Sequence, residues 1–171
     1  MTKKIWILTV LLTILLISTS LASISRKEPK NRIIEATDAL FSSTGTKDTL
    51  INSIGEYLDV VVELTSSSQY TEEITHHVEV AKDLIINTSL FNDKARQYLS
   101  LAYRMITNGQ KYQRPDELDE FVTPAEAQQK AVSYAKNLIE KSLVELESDA
   151  TENAAKYLLE MVILVVTPVS G

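Results

Sequence analysis

The segment TPAEAQQKAVSYAKNLIEKSLVELE, Thr123–Glu147, carries the longest uninterrupted helical pattern in the chain. At about 100° per residue, Ala131, Val132, Ala135, Leu138, Ile139, Ser142 and Leu146 share one side. Gln129, Lys130, Lys136, Asn137 and Glu140 share the other. Thr123 suits the N-cap, Pro124 the first turn, where its missing N–H costs nothing, and Glu126 stands where a capping box needs it. The spacing predicts an amphipathic helix with the other segments built against its apolar side.

Working outward, the same period recurs. Asn31–Phe41 is expected to be a short helix with Ile33, Ile34, Leu40 and Phe41 as apolar contacts. From Thr46 or Asp48 to about Ser66, Leu50, Ile51, Ile54, Leu58, Val61, Val62 and Thr65 line one face. Three consecutive valines, Val60–Val62, favour a strand locally, but the wider period is helical. Thr71–Asn87 presents Ile74, Val78, Ala81 and Ile85. A helix capped by Asn92 presents Ala95, Leu99, Ala102 and Ile106, and Gly109 is placed to end it. Gln110–Val122 is a long charged loop, with Leu118, Phe121 and Val122 as its anchors. Asp149 or Thr151 is expected to cap a last helix, with Ala154, Ala155, Leu158, Val162 and Val165 inward. Met161–Val166 is apolar all round, which calls for cover on every side.

Long segments separated by short breaks predict an all-α fold, an antiparallel bundle of five to six helices in which sequence neighbours pack together. The pattern Leu99-x-x-Ala102-Tyr103, Gly109, Tyr112 and Ala131-Val132-x-Tyr134-Ala135 resembles one tetratricopeptide repeat, interrupted by the insertion Gln110–Ala125. That resemblance implies the alternative, a stack of helical hairpins.

The chain has 171 residues, a net charge of −6, four glycines, four prolines and no cysteine, which excludes disulfides, Cys–zinc sites and thiol chemistry. Met1–Lys4 is basic, Ile5–Ile17 apolar, and Ser18–Ala22 small and polar, so residues 1–22 read as an export signal cleaved after Ala22. An uncleaved anchor is the alternative, because Ile5–Ile24 is long enough to cross a bilayer; membrane contact is expected only if 1–22 are retained. Residues 23–171 form a single extracytoplasmic domain, periplasmic or secreted, on this reading. Fifteen basic and twenty-three acidic groups remain in that part, and no basic cluster interrupts the acidic pattern. Nucleic acid is therefore not an expected partner.

Candidate chemistry is sparse. Glu72, His76, Glu79 and Asp83 share a stripe that could hold a divalent metal, with His76 and Glu79 as the candidates, but no metal site is expected. The stripe lies opposite Ile74, Val78, Ala81 and Ile85, so solvent exposure is expected. His77, on the flank, reads as a boundary histidine bonded to a neighbouring helix. A di-iron bundle needs a second Glu-x-x-His, and His76 and His77 are the only histidines. Asp116–Glu120 lacks the ligand spacing and glycine of a calcium loop. No glycine-rich phosphate loop or G-x-S-x-G motif is present. No cofactor and no enzymatic activity are expected. Tyr103, Tyr112, Phe121 and Tyr134 form the candidate binding set, since tyrosine joins a large apolar body to a polar tip. The expected function is capture of another macromolecule, a protein, at this surface. The alternative is a carrier or sensor of a small apolar ligand, motivated by Met161–Val166.

Overall fold

The computed structural model describes residues 28–42, 46–118 and 123–167, and among these the chain is helical with no strand. Six α-helices follow one another: α1 (28–40), α2 (Lys47–Leu64), α3 (Thr71–Asn87), α4 (Asp93–Ile106), α5 (Pro124–Glu147) and α6 (Thr151–Val166). A 3-10 turn, Asp116–Leu118, lies between α4 and α5. The expected export segment, residues 1–22, and the anchors Phe121 and Val122 lie outside the described residues.

Most helix starts are those the sequence implies. Thr123 accepts from the Glu126 N–H at 3.2 Å, and Glu126 returns the bond to the Thr123 N–H at 3.0 Å. Thr46 and Thr49 form the equivalent reciprocal pair at α2. Asn92 caps α4 by accepting from the Lys94 and Ala95 N–H groups. The last helix differs from expectation. Neither Asp149 nor Thr151 caps it; Ala150 holds the N-cap position without a side-chain bond. The reason is the preceding helix. Asp149 takes a left-handed φ of 64° to close α5, with the Ala150 N–H bonded to the Glu145 carbonyl at 3.0 Å. That is a Schellman turn, and it claims the residues a cap would need.

Side-chain pairings give the helix directions. Arg32 reaches Glu56 and Glu63, and Thr37 meets the Tyr57 hydroxyl, so α1 runs antiparallel to α2. Lys30 pairs with Glu147 and Lys136 lies over the Phe41 ring, so α1 is also antiparallel to α5. Lys82 donates to both Asp59 oxygens at 2.6 Å between α2 and α3. Around α6 pack α2, α4 and α5. Two four-helix rings result, α2–α3–α4–α6 and α1–α2–α6–α5, which share α2 and α6.

This overturns the expectation that Thr123–Glu147 is the organising helix. Only five of the 24 residues of α5 are buried, against nine of the 16 in α6. Met161–Ile163 are buried to 1% exposure or less, covered by helices on three sides. Val132, placed inward by the sequence, is 38% exposed, because α5 packs on α6 along a narrow stripe of Ala127, Ala135, Leu138, Ile139 and Ser142. Nor do all sequence neighbours pair. α4 and α5 run in the same direction and do not pack on each other; α4 packs on α6 instead. A stack of sequential hairpins would place α4 on α5. The connection between them must run back along the bundle, and this is why residues 107–123 are long.

Candidate functional site

The described part of the returning connection, residues 107–118, lies across the gap between α4 and α5 as a strap. It begins where α4 ends in a Schellman turn: Asn108 and Gly109 take φ of 53° and 94°, and the Gly109 N–H bonds to the Arg104 carbonyl at 2.6 Å. Asn108 is the residue that closes the helix, and the expected Gly109 follows it. Thr107 Oγ1 braces the turn by bonding to the Tyr103 and Gln110 carbonyls. Farther on, Leu118 is buried, and Lys130 of α5 donates to the Glu117 carbonyl at 3.4 Å.

Beneath the strap, three of the four candidate residues, all tyrosines, converge on one carboxylate. Tyr103 comes from the inner side of α4, Tyr112 from the strap and Tyr134 from α5. Tyr103 Oη donates to Glu160 Oε1 of α6 at 2.7 Å. Lys156 Nζ stands 3.9 Å from the same oxygen, one helical turn away. The Tyr103 and Tyr112 rings meet edge to face at 5.9 Å, a favoured aromatic geometry. Lys141 and Lys156 lie over the face of Tyr157 at 5.7 and 5.1 Å, as cation–π pairs.

Burial pushes the hydroxyls of Tyr103, Tyr112 and Tyr134 above the ordinary tyrosine range, and the nearby negative charge of Glu160 pushes all three further. These phenols therefore stay protonated, and Tyr103 donates its proton to Glu160. Tyr112 Oη is buried and has no hydrogen-bond partner. The fourth candidate, Phe121, lies outside the described residues. The sequence reading missed Glu160. Its signal was present: it is the only charged residue in Tyr157–Val166, an otherwise apolar run.

Among the described residues, two open grooves flank the strap. One, of about 560 Å³, is lined on the α5 side by Leu118, Lys130, Ser133, Tyr134 and Asn137. The other, of about 440 Å³, is lined on the α4 side by Arg96, Gln97, Leu101, Arg104, Lys111 and Tyr112. The second corrects a sequence expectation. Residues 94–115 contain five basic side chains and no acidic one. Counting over the chain dilutes this segregation, and only the return of the strap along α4 brings Lys111 beside Arg96 and Arg104.

The remaining candidates are separate from this region. Glu72, His76, Glu79 and Asp83 are all exposed on the outer face of α3. Among the described residues, no group of three or more His, Asp or Glu side chains is placed to hold a metal ion. His77 turns towards α4, its ring 5.7 Å from that of Tyr98. Its Nδ1 is buried without a partner, so this histidine packs against the neighbouring helix instead of bonding to it. The apolar run Met161–Val166, the motive for a ligand carrier, is occupied by packing against α2, α4 and α5. No described helix is long and apolar enough to cross a membrane. Compared with protein families, curated proteins and solved structures, the chain has no significant match.

Proposed function

We propose that this chain is a non-enzymatic, exported helical domain that captures another protein at the strap between α4 and α5. The observation that carries the reading is the strap itself: a long connection with a buried anchor and an open groove on each flank, each groove lined by one tyrosine of the Glu160 cluster. Ordered long connections on a rigid scaffold are frequent bearers of binding function, and aromatic residues are enriched where proteins meet. Export rests on the basic, apolar and small-residue succession of residues 1–22. Protein is favoured over nucleic acid because the chain is acidic.

A photocrosslinking residue placed at Ser133 or Gln97, in the natural host, tests this. One discrete protein adduct at either position, and none from the outer face of α3 at Glu79, is the expected result. Equal labelling at all three positions, or none, would overturn the strap as a binding surface. Recovery of the protein from extracytoplasmic fractions with its N-terminus at Ser23 is expected; a cytoplasmic protein retaining Met1 would remove the export claim.

A further inference from the structure

Charge is distributed unevenly around the strap. The chain is net acidic at −6, yet Lys94, Arg96, Arg104, Lys111 and Arg114 follow one another with no acid between them. Arg96 is held by Asp93 at 3.0 Å. Among the described residues, the exposed side chains of Arg104 and Lys111 have no hydrogen-bond or ion-pair partner. Both face the α4-side groove. Between them lie an apolar contact, Leu101 at 39% exposure, and the half-buried Tyr112. The volume of about 440 Å³ accommodates a few side chains.

We infer that this groove is the docking site of an acidic peptide segment of the partner protein, its carboxylates on Arg104 and Lys111 and an apolar side chain on Leu101 and Tyr112. This rests on the strap-binding reading above and gives its partner a chemistry. Arginine favours a planar carboxylate because its guanidinium can bond both oxygens at once. A short acidic segment fits better than a polyanion. The acids Asp93, Asp116 and Glu117 stand in the same part of the chain, and the net negative field repels nucleic acid and anionic membranes beyond the groove.

The test selects binders for the purified full chain from a random library of peptides about twelve residues long. Binders rich in Asp and Glu are expected. Their affinity should fall about tenfold or more in Arg104→Glu/Lys111→Glu, and less in Arg104→Gln/Lys111→Gln. It should also weaken as salt rises from about 50 to about 500 mM. The glutamine pair keeps the test valid if charge reversal disturbs folding. Neutral or basic binders, or acidic binders indifferent to both variants, would overturn the inference. So would tighter binding of a single-stranded oligonucleotide or phosphatidylglycerol vesicles lost in the same variants, which would reassign the groove to polyanions. If the Ser133 crosslink forms while no acidic peptide is selected, the acidic-segment inference fails and protein binding at the strap stands.

Discussion

At the scale of single residues, the Glu160 cluster holds two tyrosine hydroxyls in opposite circumstances. Tyr103 Oη bonds to a carboxylate in a mostly buried setting, and bonds to charged groups are worth more than neutral ones. Tyr103→Phe is expected to cost about 1–2 kcal/mol in urea denaturation. Tyr112 Oη is buried with no partner, so Tyr112→Phe removes an unsatisfied polar atom and keeps the ring. Its stability should match the wild type or exceed it by up to about 1 kcal/mol; a clear loss would show that this hydroxyl is bonded in solution. His77 makes a pH-dependent counterpart. Desolvation, then the charge of neighbouring His76, lowers its pKa below the ordinary 6.5. The unfolded chain thus takes up the proton more readily than the folded one. Stability is full above pH 6.5 and falls as pH drops through the folded pKa. His77→Gln should reduce the difference between denaturation midpoints measured at neutral and mildly acidic pH; an unchanged difference would place the acid sensitivity elsewhere.

At the scale of elements, periodicity reads well where a helix has one buried stripe. Ile74, Val78, Ala81 and Ile85 of α3 are the four residues buried in that helix. Ala95, Leu99, Ala102 and Ile106 are likewise buried in α4. It reads less well in α2, where Ser53, Gly55, Tyr57 and Val60 are buried beyond the expected face. That helix has α1, α3 and α6 around it, and no single-stripe template can represent three neighbours. Start and stop chemistry was legible where the bond is local, as at Thr123. It was not legible at Asp149, because a left-handed residue other than glycine leaves little mark in sequence. Two substitutions separate these effects. Thr123→Ala removes a capping oxygen and should cost about 1 kcal/mol. Gly109→Ala should cost about the same, although a Cβ there would meet nothing within 4 Å, because the φ of 94° alone opposes a side chain. Both are read from the urea midpoint, and a silent Gly109→Ala would mean the turn relaxes without cost.

At the scale of the whole molecule, the sequence supported an all-helical chain but not the path that joins its helices. The lengths of the breaks indicated which neighbours pack, and the long stretch Gln110–Val122 was visible as an exception. Its role as a return strap depends on α6 occupying the position beside α4, and nothing local to α4, α5 or the strap encodes that. The candidate tyrosines were legible as a set because they are conspicuous by type, whereas Glu160, though the only acid in its apolar run, gains a role only once its helix is known to be central. The shared helices α2 and α6 carry a testable consequence. Were the two rings separate folding units, loosening one would leave the other intact. Sharing two helices should instead make them one cooperative unit. Leu99 is fully buried in α4, which belongs to the first ring and does not pack on α5. Leu99→Ala should cost about 3 kcal/mol. With one unit, the slowest amides of α1 and α5 should then exchange faster by the same free energy as those of α3 and α4. Hydrogen exchange followed by mass spectrometry separates the cases. Acceleration confined to α3 and α4 would mean that α2 and α6 hold their second ring alone, and that the strap joins two units able to open independently.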